Sequence, residues 1–140
     1  MKIKLLFLLL LLCTGVFAQP VPSYVPTNGL VGWWPFNGNA NDESGNGNDA
    51  TVYGANLRND RNNNPNNSYE FNGTSDYMEV QSSQLFESLV NELTISTWSN
   101  CVNNGNSQTI IARRNFIGNP NGERHHFEIS VYPDGSLFFS

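Results

Sequence analysis

Lysine is almost missing from this chain: its only copies, Lys2 and Lys4, stand within the first four residues. Cysteine and histidine are as scarce, with Cys13, Cys101, His125 and His126 the only ones. Carboxylates outnumber basic groups by 12 to 7, and no basic stripe forms anywhere. The chain therefore lacks the electrostatic footprint of a nucleic-acid or anionic-membrane binder. Catalytic signatures are missing too. There is no Gly-x-Ser-x-Gly elbow and no His-Glu-x-x-His. No strand-like segment offers a Glu-x-Asp-x-Glu pattern, which would set paired acids on one face across a glycosidic bond. Glu70-Phe71-Asn72 has an amide in the second place, and Asp76 and Glu79 fall on opposite faces of a strand. His126 and Glu128 share a face, but two ligands do not make a zinc site, and a solvated cross-strand pair is the better reading.

What is present begins with an export signal. Lys2 and Lys4 form a positive n-region, residues 5–12 an apolar h-region, and Val16-Phe17-Ala18 a small-residue cleavage site before Gln19. The apolar run is too short for a transmembrane helix, which needs ~20 residues. Residues 1–18 thus read as a signal peptide, and the mature chain as secreted, extracellular or displayed on the cell surface. The rival is a lipoprotein signal acylated at Cys13, against which stands the bulky Leu12 before that cysteine. Cleavage removes both lysines and leaves five arginines against twelve carboxylates, a net charge of −7. Such a chain suits cations and neutral polysaccharide. Cys101 is left alone, as a free thiol or with a partner outside these residues, and no helix start or basic cluster beside it makes it a nucleophile.

Residues 19–28 carry Pro20, Pro22 and Pro26 and read as an extended linker. From Gly29 onward short β-branched and aromatic runs alternate with Asn/Gly/Asp turns. Strands are expected over 30–36, 50–53, 69–71, 77–80, 93–99, 108–113, 125–132 and 137–140. That count and those turns indicate an all-β fold, an antiparallel β-sandwich or jelly roll. Residues 83–92 alone have helical character, with Leu85, Leu89 and Glu92 near one face and Ser82 or Ser83 as caps. Residues 59–68 form a loop without apolar anchors, and residues 104–106 and 118–122 are further turn clusters. Pro133-Asp134-Gly135-Ser136 is a hairpin turn, after which the sequence stops inside a strand.

The densest signal lies in residues 29–54. Leu30-Val31-Gly32-Trp33-Trp34-Pro35-Phe36-Asn37-Gly38-Asn39-Ala40-Asn41-Asp42, followed by Ser44-Gly45-Asn46-Gly47-Asn48, resembles the opening of the laminin-G-like, concanavalin A-like lectin/glucanase domains of secreted bacterial proteins. Tyr69-Glu70-Phe71-Asn72-Gly73-Thr74-Ser75-Asp76-Tyr77, then Leu93-Thr94-Ile95-Ser96-Thr97-Trp98, then residues 127–139 agree with it in order and spacing. The resemblance covers residues 29–140 and implies a concanavalin A-like jelly roll. Domains of that family continue past the equivalent of Ser140, so the segment is expected to be an N-terminal portion, truncated at the C-terminus and poorly folded when expressed alone.

In Asp42-Glu43-Ser44-Gly45-Asn46-Gly47, side-chain oxygens stand at relative positions 1, 3 and 5 with glycine at 6, the first half of a calcium loop. Tyr53 stands where an EF-hand needs a bidentate Glu, and no helices are expected to flank the loop, so the second half departs from the EF-hand pattern. The resemblance implies a Ca²⁺ site on the sandwich rim, with Asp42, Ser44 or Asn46, and Asp76 contributing. The alternative is a metal-free turn held by side chains that bond their own backbone. Trp33, Trp34 and Trp98 are expected in core or rim packing rather than on a ligand. By analogy with the family, the functional expectation is a non-catalytic recognition or adhesion module for glycan or an extracellular protein partner. The alternatives are an appended or incomplete domain of a polysaccharide-degrading enzyme and a structural spacer. The export reading is directly testable: N-terminal sequencing of secreted material is expected to begin at Gln19, and an acylated Cys13 there would overturn it.

Overall fold

The computed structural model describes residues 21–81, 84–89, 92–113 and 127–140. The signal and lipoprotein readings of residues 1–18, the possible caps Ser82 and Ser83, the 118–122 turn and the His125–His126 pair lie outside the described residues. Within them the chain is all-β, with small antiparallel sheets and a single helical turn. The elements are β1 (Ala50–Tyr53), β2 (Asn56–Arg58), β3 (Ser68–Glu70), β4 (Tyr77–Val80), α1 (Gln84–Glu87), β5 (Gln108–Arg113), β6 (Phe127–Val131) and β7 (Leu137–Phe139). β1 pairs with β4, β2 with β3, and β5, β6 and β7 form a third sheet in that order.

The first four strands make a nested ribbon, β2–β3 enclosed between β1 and β4. Strict alternation drives the outer pair. Ala50, Val52, Met78 and Val80 point to one half-buried face, while Thr51, Tyr53, Tyr77 and Glu79 point to solvent. Directly opposed Tyr53 and Tyr77 stack at 4.5 Å between ring centroids, a cross-strand contact worth a few tenths to about 1 kcal/mol. β2 has only one apolar residue, half-buried Leu57, which faces Tyr69 in register. Its pairing is completed by an exposed Arg58–Glu70 ion pair at 2.7 Å, an interaction that contributes little in water. Nothing in the local sequence marks β2; its partner strand imposes it.

Between the two pairings, residues 54–55 face the six residues 71–76. The longer side is folded on itself. Asn72 Oδ1 accepts from the amides of Thr74, Ser75 and Asp76 at 2.9, 2.9 and 3.1 Å, and Asp76 Oδ2 accepts from the Asn72 amide at 3.0 Å. Asp76 thereby closes its own turn. Gly54 lies against it at φ 81°, where a Cβ would stand 2.3 Å from Asp76 Oδ1.

In the third sheet the Pro133–Ser136 turn forms as expected. The Tyr132 amide donates to the Ser136 carbonyl at 2.9 Å, and Asp134 Oδ1 accepts from the Ser136 hydroxyl at 2.6 Å. That hydroxyl, followed by the Ser136 amide, holds the exposed Asp134 carboxyl below its ordinary value. An irregularity between Thr109 and Ile111 resets the register of β5 against β6, so Ile110 and Ile111 are both half-buried. One face then carries Ile111, Ile129 and Phe139 in a row with Val131 and Leu137 beyond. The other carries buried Ser130, whose hydroxyl donates to Glu128 Oε1 at 2.6 Å.

Two expected strands are absent. Residues 30–36 make no ladder because their polar groups are taken by the loop that follows. Residues 93–99 have no neighbouring strand among the described elements, and β-rich composition without a partner does not make a strand. The helical character expected over 83–92 appears among the described residues as the one turn of α1, anchored where Arg113 Nη1 donates to the Phe86 carbonyl at 2.6 Å. Among the described residues Ala40 is the only buried apolar one, and the described strands pair and pack only within their own sheets. Gly54→Ala is expected to destabilise by about 2 kcal/mol or more, since it combines left-handed backbone strain with a clash. Gly45→Ala, at φ 89° in open space, should cost about 1 kcal/mol. Urea denaturation of both variants checks the difference.

Candidate functional site

The 42–49 loop is organised around one carboxylate. Asp42 is 8% exposed, and both its oxygens accept backbone N–H groups. Oδ1 takes the amides of Trp33 and Ser44, each at 2.9 Å, and Oδ2 takes the amide of Asn48 at 3.0 Å. The Asp42 amide in turn donates to Asp49 Oδ1 at 2.8 Å. Two asparagines extend the network back to residues 30–34. Asn46 Nδ2 donates to the Leu30 carbonyl at 2.8 Å and the Val31 carbonyl at 3.2 Å; Asn48 Nδ2 reaches the same Val31 oxygen at 2.8 Å. The Glu43 amide donates to the Trp33 carbonyl at 2.8 Å, and Trp34 Nε1 donates to the Asn48 carbonyl at 2.9 Å.

These bonds explain why residues 30–36 pair with no strand. They also place the tryptophans. The Trp34 ring folds back over Gly32, where any Cβ would fall inside the indole, and both Trp33 and Trp34 are half-buried. Trp33 Nε1 is buried without an acceptor among the described residues, which costs about 1–3 kcal/mol. The pair packs against the loop. Trp98, expected in core or rim packing, is instead 81% exposed, with the Arg61 guanidinium 3.7 Å from the centre of its ring.

Asp42, Ser44 and Asn46, singled out for calcium by their spacing, do come together. Their donor atoms do not fit a cation as they stand. Ca²⁺ takes six to eight oxygens at about 2.3–2.6 Å, whereas both Asp42 oxygens and Ser44 Oγ already receive N–H donors and Asn46 turns its nitrogen toward the Leu30 and Val31 carbonyls. Ser44 Oγ accepts from both the amide and Nδ2 of Asn46, at 3.3 and 3.0 Å. Asp76 belongs to the separate 71–76 turn and is bonded there. Among the described residues no group of three or more His, Cys, Asp or Glu side chains is placed to hold a metal ion. Cys101 is a free, exposed thiol on the edge of a shallow hollow shared with Asn103, Tyr132 and Asp134.

A second surface went unmarked in the sequence. On the solvent side of β1–β4, the stacked Tyr53 and Tyr77 are 40% and 50% exposed, with exposed Thr51 and Glu79 opposed in the next outward row. The signal was there in the alternation, since Tyr53 and Tyr77 sit at outward positions of their strands. No protein-family model, curated protein or solved structure matches this chain.

The carboxylate of Asp42 titrates abnormally. Burial pushes its pKa up, but the bonds from the Ser44 hydroxyl and from the Trp33, Ser44 and Asn48 amides outweigh it and hold the carboxyl below its ordinary value. A depressed carboxylate stabilises the fold fully above the unfolded-state value and loses that contribution as pH falls through the folded one. Asp42 is therefore expected to leave stability unchanged near neutral pH and to lower it progressively as pH falls through the ordinary carboxylate range and below. Asp42→Asn should lower stability by about 2–3 kcal/mol at neutral pH and flatten that part of the acid slope, as read by denaturant melts across pH.

Proposed function

We propose that this chain is an exported, non-catalytic recognition module that binds neutral glycan through the outward face of β1–β4. The observation that carries the reading is the stacked, half-exposed Tyr53–Tyr77 pair. Aromatic rings left in water on a regular strand offer flat apolar faces of the kind a sugar's C–H face covers. Glu79 and the Thr51 hydroxyl, one row along, supply acceptors for sugar hydroxyls. No arginine shares that face, and an acidic chain repels anionic polymers, which favours a neutral one. The jelly-roll sandwich that the sequence resembles belongs to the same proposal. In it, the half-buried face of β1–β4 and the apolar face of β5–β7, whose Leu137 and Phe139 are exposed among the described residues, line the interior and leave the tyrosine face outside.

The test is binding to soluble neutral polysaccharides (β-glucan, mannan and xylan) by affinity electrophoresis and calorimetry. Tyr77→Ala and Tyr53→Ala are each expected to weaken binding about tenfold, or ~1.4 kcal/mol. Trp98→Ala should leave it unchanged. Binding that survives the loss of both tyrosines would overturn the assignment of the face, and hydrolysis of any of these polymers would overturn the non-catalytic reading.

A further inference from the structure

We infer that the 42–49 loop is a metal-independent clasp, a ring of backbone amides filled by the chain's own Asp42 carboxylate, and that its task is to hold residues 30–34 in place. The polarity of the site carries this. The amides of Trp33, Ser44 and Asn48 converge on one side chain, and converging N–H groups form a concavity that favours an anion. A calcium site needs six to eight oxygens converging on one point, whereas the groups converging here are amides.

The surrounding oxygens agree. The Val31 carbonyl accepts from two asparagine side chains, the Leu30 and Asn48 carbonyls accept from Asn46 and Trp34, and the Trp33 carbonyl accepts from Glu43. A cation entering here would have to compete with the amides for the Asp42 oxygens and with the side-chain donors for the carbonyls. Those same bonds fix residues 30–34, so a cation that displaced them would release that segment. Asp49, the one other carboxylate bonded into the loop, accepts from the Asp42 amide and adds a second anion to the same frame. The pattern Asp-x-Ser-x-Asn-Gly thus serves an internal anion.

The experiment uses the whole exported chain. Thermal melts are compared in EDTA and in millimolar CaCl₂, for the wild type and for Asp42→Gly with and without sodium acetate. Acetate restores the side-chain atoms that the substitution removes. The wild-type Tm is expected to be the same in EDTA and calcium. Asp42→Gly should lower it by roughly 5 °C or more, and acetate, but not chloride at equal ionic strength, should recover most of the loss by filling the vacated ring. A wild-type Tm that rises with calcium and a variant that acetate does not rescue would each overturn the clasp. Should Asp42→Gly fail to fold, hydrogen exchange on the wild type decides. The amides of Trp33, Ser44 and Asn48 are expected to be equally protected in EDTA and calcium, and protection lost in EDTA would overturn the inference. None of these readouts depends on glycan binding, so the clasp and the tyrosine face stand or fall separately.

Discussion

The three N–H bonds to Asp42 are the constraint on which the first third of the described chain depends. They are charge-assisted, largely screened from water, and made to residues on both sides of the aspartate. Once they form, the Trp33 carbonyl is in place for Glu43, the Trp34 indole reaches Asn48, and Ala40 is enclosed. The Ala40 carbonyl then accepts from the amide of Ala50, the first residue of β1. A loop built from Asn, Gly and Asp loses much conformational entropy on ordering and has little apolar surface to offset it. Here the offset is polar. In a segment with one buried apolar residue, a satisfied buried carboxylate takes the organising part usually played by a core.

The same economy appears at smaller scale elsewhere. Asn72 and Asp76 close the 71–76 turn between them. Asp60 accepts from the side chain and amide of Asn64 and the amide of Asn62, and those bonds, the Asn64 side chain first, hold its exposed carboxyl below the ordinary value. Asp134 does the same with Ser136. Each is a short polar side chain standing in for a backbone partner, which is why such residues gather where the chain reverses. Side-chain bonding of this kind frees strand faces from any duty in the turns, and the outward face of β1–β4 can carry tyrosines for another purpose.

Much of the β structure was legible because alternation and turn chemistry agree locally. β1, β4 and β5 occupy the expected residues, and β7 differs by its last position. What could not be read was pairing decided at a distance. β2 exists because β3 lies beside it, with Leu57 against Tyr69. Residues 30–36 have strong strand propensity, yet Asn46 and Asn48, some 15 to 17 positions later, take their carbonyls. Propensity states what a backbone favours alone; a carbonyl claimed by a distant amide side chain is invisible to it. The positive φ of 58° at Phe36 is part of the same outcome, since a bulky residue there is held by its surroundings rather than by preference.

The candidate site shows the limit more sharply. Spacing alone brought Asp42, Ser44 and Asn46 into one cluster, and they are in one cluster. Spacing does not carry sign. Oxygens at alternate positions followed by glycine let a chain wrap around something, and either charge can sit inside the wrap. If the main-chain oxygens turn inward, the centre takes a cation; if the amides turn inward, it takes an anion. The sign is set by groups outside the motif. The Trp33 amide approaches from nine residues upstream and the Asn48 amide from just past Gly47, while the Asn46 carboxamide directs its nitrogen, not its oxygen, at the Leu30 and Val31 carbonyls. A motif of this type predicts a bound charge only when the donors that flank it are known as well.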